Sequence, residues 1–145
     1  VRYILKNKKN FRITKQIKKQ LLEPTKIYVK ELNKINKQNL INGCANITGG
    51  GLFGNLTRIM PKDFCLNVDL SKIKISKVFK WLKKNKISDS EMLKTFNCGV
   101  GFCLIANKKN VNKIKKIFTK KYEPYEIGFV SKNNLKIKTY ENLKW

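Results

Sequence analysis

The stretch Ala45-Asn46-Ile47-Thr48-Gly49-Gly50-Gly51-Leu52 runs from a short apolar segment of strand character, through three glycines, into a helical pattern. Successive glycines let the backbone turn sharply and present its N–H groups. The helix start beyond them adds unpaired donors and a partial positive charge. A turn of this kind holds an anion, most often a phosphate. The same glycines also serve close packing of strand on helix. Both readings are open from the stretch alone, and the rest of the chain has to choose between them.

On the upstream side, Leu40 to Thr48 reads as the strand feeding the turn, preceded by the polar run Asn36 to Asn39. Before that, Thr25 is the expected N-cap of a helix reaching about Ile35, with Tyr28, Leu32 and Ile35 on one face. Glu23-Pro24-Thr25 reads as the junction that starts it. The Lys-dominated stretch Asn7 to Gln20 carries Ile13, Ile17 and Leu21 at helical spacing, which predicts a short amphipathic turn with a solvated basic face.

Downstream, Leu52, Phe53, Leu56, Ile59 and Met60 repeat at helical periods until Pro61 stops them. Alternation over Phe64 to Asp69 predicts a strand. Ser76 is placed to cap a helix burying Val78, Phe79 and Leu82. Ser88-Asp89-Ser90-Glu91 has the form of a capping box ahead of Met92, Leu93 and Phe96. Cys98 to Ala106 reads as a strand containing glycines, Asn110 as the cap of a helix bearing Val111, Ile114, Ile117 and Phe118. Strands near Tyr125 to Val130 and Leu135 to Thr139 close the chain around Lys132-Asn133-Asn134. The order is mixed α and β, with too few βαβ units for a doubly wound sheet.

The 145 residues suffice for one core, and no internal repeat is visible. The chain opens at Val1, and Val1-Arg2-Tyr3-Ile4-Leu5 reads like the tail of a helix, so a fragment is expected. The longest apolar run, Val100 to Ala106, is too short to span a bilayer, and no signal peptide is recognisable. A cytoplasmic protein without membrane partners is the expectation.

A net charge of +24 suggests a polyanionic partner, yet only Arg2, Arg12 and Arg58 of the 33 basic residues are arginine. Lysines scattered among asparagine and isoleucine resemble codon drift more than a reading face, since arginine does most bidentate recognition. A Lys-rich nucleic-acid-binding module therefore stands as an alternative, and no specific nucleic acid is expected. Histidine is absent, which removes Ser-His and Cys-His nucleophilic pairs. Cys44, Cys65, Cys98 and Cys103 lack Cys-x-x-Cys spacing and read as small buried hydrophobes, with no metal site.

Gly49, Gly51 and Gly54 match G-x-G-x-x-G after a strand, and Asp69 lies about 20 residues on, as the dinucleotide fingerprint asks. A dinucleotide-binding oxidoreductase fragment is thus a second alternative. No Gly-Lys-Ser/Thr follows the glycines, so the loop is not a Walker A motif.

Four separate blocks carry a broader resemblance. Leu21-Leu22-Glu23-Pro24-Thr25-Lys26-Ile27-Tyr28-Val29-Lys30, Ala45 to Gly51, Asn55-Leu56-Thr57-Arg58 and Glu91 to Gly101 resemble, in order and spacing, the C-terminal half of phosphoribosylformylglycinamidine cyclo-ligases. Tyr125-Glu126-Ile127-Gly128 resembles the closing strand, so the likeness covers Leu21 onward. The resemblance implies a three-layer α/β/α domain around a mixed sheet, partly ferredoxin-like, over residues 21–145, with 1–20 a basic lead-in from an interdomain segment. It implies ATP-dependent, Mg2+-assisted ring closure of formylglycinamidine ribonucleotide to aminoimidazole ribonucleotide.

By matching positions, the resemblance gives substrate or phosphate binding to Asn46, Thr48, Gly49, Gly50, Gly51, Asn55 and Arg58, and to Thr95, Asn97, Gly99 and Gly101 across the same cleft. The family's N-terminal domain, with most of the ATP and Mg2+ site and the homodimer interface, would have to come from elsewhere, leaving the isolated chain inactive. Three departures stand out. Asn46 occupies the position of a family histidine, Gly54 that of a frequent glutamate and Thr57 that of a frequent proline.

Overall fold

The computed structural model describes residues 1–7 and 13–145. Part of the Lys-rich stretch that follows Asn7, residues 8–12, lies outside the described residues. Helices α1 (Arg2–Asn7), α2 (Lys15–Leu22) and α3 (Val29–Lys37) lead into strand β1 (Gly43–Asn46) and helix α4 (Gly51–Ile59). Strand β2 (Phe64–Asp69), helices α5 (Lys77–Lys83) and α6 (Asp89–Thr95), strand β3 (Phe102–Ile105) and helix α7 (Val111–Ile117) follow. Strands β4 (Gly128–Lys132) and β5 (Ile137–Tyr140) end the fold.

The expected mixed α and β class holds, with the strands divided between two sheets. β1 and β3 form an antiparallel pair, Ala45 opposite Cys103 and Asn46 opposite Phe102. The second sheet is mixed, in the order β4-β2-β5: β4 runs antiparallel to β2, and β5 runs parallel to it. The last two strands therefore do not pair with each other around Lys132-Asn133-Asn134. The turn carries the chain past the start of β2, where Asn133 N donates to Asp63 O at 2.9 Å and Leu66 N to Lys136 O at 3.0 Å.

Side-chain alternation puts the two faces of the β1–β3 ribbon into different cores. Ala45 and Cys103 join the main cluster with Leu52, Leu56, Met92 and Leu93 from α4 and α6. Leu104 turns the other way, onto Ile35, Leu40 and Ile114, where α3 and α7 meet. Helix, ribbon and helix thus make three layers. Ile17 of α2 and Leu143 near the C-terminus also enter the main cluster, so both ends of the chain are held by it.

Several element limits differ from those the pattern predicts, for identifiable reasons. α3 starts at Val29, four residues after Thr25, because Tyr28 turns inward to pack its ring 5.6 Å from Phe102 and 5.8 Å from Tyr122. The strand expected over Cys98 to Ala106 shortens to Phe102–Ile105. Cys98 (φ 51°) and Gly99 (φ 107°) are in the left-handed region, so that segment turns before it extends. Asn110 occupies the N-cap position of α7 without a side-chain bond to it; the amide of Asn107 caps the preceding short turn instead. Ser88 Oγ does accept from Glu91 N at 3.1 Å, but the Glu91 carboxylate accepts from Thr95 Oγ1 rather than closing the box. Of the four cysteines, three are buried and Cys44, opposite Leu104 in the β1–β3 ribbon, is exposed.

Candidate functional site

The glycine turn is built from its backbone outward. Gly50 takes φ 91°, ψ 0° and Gly51 φ 60°, conformations that a side chain disfavours. A methyl group on Gly51 would stand 2.1 Å from Leu93 O and 2.8 Å from Lys94 C, so this glycine lets α4 press directly on the end of α6. Gly49, by contrast, faces open space. The triplet therefore divides the two readings: Gly51 packs, and Gly49 and Gly50 are presented. Gly51 N donates to Thr48 O at 3.1 Å, while the amides of Gly49 and Gly50 find no acceptor among the described residues.

Asn55 clamps this loop from within. It is 8% exposed, and its Nδ2 donates to Gly51 O at 2.7 Å, Gly49 O at 3.2 Å and Thr48 O at 3.4 Å. With its amide turned to loop carbonyls, Asn55 positions the turn rather than offering that group to a ligand. Arg58 lies exposed in the last turn of α4, eight residues from Gly50 and so on much the same helix face. Its Nη2 lies 3.9 Å from where a Gly50 side chain would begin. Gly54, between them on that face, has open space over it, which leaves the lane along which the guanidinium reaches back to the turn.

The second block meets the first. Ile47 N donates to Gly101 O at 3.0 Å, extending the β1–β3 register to the mouth of the turn, and Gly51 abuts the residues just before Thr95. Asn97 Oδ1 accepts from Gly99 N at 3.1 Å, and Gly99 packs against the backbone of Lys74 to Ser76. Asn97 and Gly99 thus shape this loop, while Thr95, Thr48 and Asn46 are exposed around it.

Sequence reasoning placed Tyr28 only on a helix face, although it belongs to the rim of this site. A side chain on Gly101 would begin 2.3 Å from the Tyr28 hydroxyl. Burial raises the Tyr28 phenol above its ordinary range, with Tyr122 adding to the effect, so it stays protonated at neutral pH. An aromatic one residue before β-branched Val29 was the available signal; what it touched was not.

This geometry rules out the dinucleotide fingerprint. That motif needs its third glycine for close helix–strand packing and a parallel βαβ unit. Here Gly54 packs against nothing, β1 pairs antiparallel, and Asp69 is engaged by Ser71, whose N and Oγ both donate to Asp69 Oδ1. The Gly49–Gly50 amides beside the Arg58 cation fit a phosphate or a developing oxyanion. Among the described residues no group of three or more Asp, Glu, Cys or His could hold a metal ion, so no Mg2+ site is derived from them. No helix is long and apolar enough to cross a membrane among the described residues.

Residues 1–139 match the family described as AIR synthase related protein, C-terminal domain, and the chain belongs to that family. Among its relatives is the phosphoribosylformylglycinamidine cyclo-ligase of Fusobacterium nucleatum, 43% identical over 116 residues, covering 79% of this chain and 34% of that protein. The enzyme of the same name from Streptococcus agalactiae is 42% identical over 120 residues, or 81% of this chain and 34% of that one. The trifunctional purine biosynthetic protein adenosine-3 of Chironomus tentans is 46% identical over 98 residues, 67% of this chain and 7% of that protein. The chain therefore spans about a third of the length of the cyclo-ligases it matches.

Proposed function

We propose that this chain supplies one wall of a cyclo-ligase active site, converting formylglycinamidine ribonucleotide to aminoimidazole ribonucleotide in the cytoplasm, and that the opposite wall comes from the family's N-terminal portion. The observation that carries the reading is the pair of unengaged Gly49 and Gly50 amides with the Arg58 guanidinium beside Gly50. ATP, when bound, would supply the phosphoryl group that activates the formyl oxygen, so that attack of an internal nitrogen on the formyl carbon breaks its C–O bond and phosphate leaves. Gly49 and Gly50 hold a phosphate through backbone N–H groups. Arg58 adds charge and Thr48 adds a hydroxyl at the edge, while Thr95, whose hydroxyl donates to Glu91, holds the end of α6.

Asn55, Asn97, Gly51, Gly99 and Gly101 keep the two loops in place, which deepens their role from contact to positioning. Asn46, exposed beside the turn, offers an amide that can donate or accept but cannot transfer a proton at neutral pH. Mg2+, the remainder of the ATP site and the homodimer interface belong to the N-terminal portion, with residues 1–20 leading into the 21–145 domain and packing Ile17 on its core.

The test joins residues 1–145 to the N-terminal portion of the Fusobacterium nucleatum relative, in place of the segment they match. The fusion is expected to form aminoimidazole ribonucleotide from its precursor and ATP, and the isolated chain is expected to form none. Arg58→Ala, at an exposed position, should lower kcat/KM of the fusion about tenfold or more by removing a charge-assisted contact. Turnover by the isolated chain, or full activity of the Arg58 variant, overturns the proposal.

A further inference from the structure

Three large apolar side chains from the end of α2 to the start of α3 are left uncovered: Leu22 at 75% exposure, Ile27 at 76% and Val29 at 59%. They occur within eight residues of one another, in a chain that buries Leu52, Ile35 and Met92 completely. Isolated exposed leucines are ordinary, but a run of this kind marks a contact surface. Its position is informative. Between Ile27 and Val29, Tyr28 points inward to Gly101, so the segment that carries the uncovered side chains passes beside the Gly101 loop.

Charge adds the chemistry of the partner. From Lys18 to Lys30 the segment carries Lys18, Lys19, Lys26 and Lys30, all exposed, against the single carboxylate of Glu23. An exposed apolar segment with lysines on either side of it is complementary to an apolar patch edged by carboxylates. About two thirds of the cyclo-ligase relatives lies outside the length this chain spans.

We infer that Leu22 to Val29 is the ridge on which the N-terminal portion of the cyclo-ligase polypeptide seats, by an acidic-rimmed apolar patch, beside the glycine loops. The inference rests on the functional proposal and names the surface that proposal leaves unspecified. Docking there would cover Ile27 and Val29 and bring the second wall of the cleft against Tyr28 and Gly101.

Single cysteines at Leu22, Ile27 and Val29, in a Cys44→Ser background that removes the exposed native thiol, report on cover directly. Phe129→Cys, at a position 63% exposed on β4, is the control. Maleimide labelling of Leu22→Cys, Ile27→Cys and Val29→Cys should slow at least tenfold in the fusion relative to the isolated chain, while Phe129→Cys labels equally in both. Equal rates at the three ridge positions overturn the inference, as does slowing at Phe129 alone.

A second measurement guards against a fusion that fails to fold. The isolated chain is titrated calorimetrically with the Fusobacterium nucleatum N-terminal portion, and Ile27→Glu should weaken binding at least tenfold while leaving the chain's melting temperature unchanged. No binding by the native chain, or undiminished binding by the variant, counts against the ridge. A fusion that protects the ridge yet forms no product overturns the cyclo-ligase reading and leaves the docking surface standing. A fusion that turns over with an unprotected ridge does the reverse.

Discussion

Gly51 and Gly54 sit one turn apart on α4 and should answer the same substitution with opposite signs. At Gly51 a methyl group meets backbone oxygen at 2.1 Å and the residue has φ 60°, so neither rotamer change nor side-chain yielding relieves the clash. Gly51→Ala is expected to destabilise by about 3 kcal/mol or more. At Gly54 nothing lies within 4 Å, and alanine should stabilise by about 0.5–1 kcal/mol through lower unfolded-state entropy and better helix propensity. Urea unfolding of the two variants checks both; equal shifts would remove the assignment of Gly51 to packing.

Thiol chemistry is a second residue-scale reading. Burial pushes Cys103 up to about 12, and burial with the nearby Asp89 pushes Cys98 up to about 11. At pH 8 both stay protonated and covered. Iodoacetamide should therefore modify exposed Cys44 rapidly and the other cysteines only on unfolding, as intact-mass spectrometry would show. The sign of the pH effect follows. Above about pH 9 the unfolded thiols release protons that the folded ones retain, so the unfolded state binds fewer protons and stability falls as pH rises from 9 towards 11–12. A melting temperature flat across that range would contradict it.

Among the elements, α6 shows how a local signal survives folding in part. Ser88 caps it through Glu91 N, so Ser88→Ala should cost about 1 kcal/mol in thermal or urea unfolding. Elements whose determinants are local were legible in this way. α4 follows from Leu52, Phe53, Leu56 and Ile59 with Pro61 beyond, and β2 from its alternation over Phe64 to Asp69. The partners of β2 were not legible, because Phe64 opposite Lys132 and Leu66 opposite Ile137 join residues about 70 apart, and no local pattern records which run lies beside which.

Sequence names the candidate site residues but not the contacts that each of them makes. Gly49 to Gly51 look alike in sequence, and only the approach of Leu93 separates the packing glycine from the two that are open. Asn55 reads in sequence as a ligand-binding amide, because sequence does not reveal that its Nδ2 donates to three loop carbonyls.

For the whole molecule, charge is the governing quantity. With 33 basic side chains and 9 acidic ones, most cations have no anionic partner to find. The pairs that form among the described residues, Lys72–Asp69, Lys83–Asp89 and Lys115–Glu126, are all partly exposed and individually weak. Folding gathers these like charges into a compact volume, and the resulting repulsion is the longer-ranged part of the electrostatics. Screening acts on that part first, since the Debye length falls from about 30 Å at 0.01 M salt to about 10 Å at 0.1 M. Raising sodium chloride from 0.01 to 0.3 M should therefore raise the melting temperature by several degrees and then level off, whereas a protein held by its surface ion pairs would lose stability over the same range. A calorimetric series in chloride decides between them. Repeating it in sulfate separates screening from anion binding at Gly49 and Gly50, because a bound anion adds a stabilisation that keeps rising with the logarithm of its concentration after screening has levelled off, and that part is diminished by Arg58→Ala.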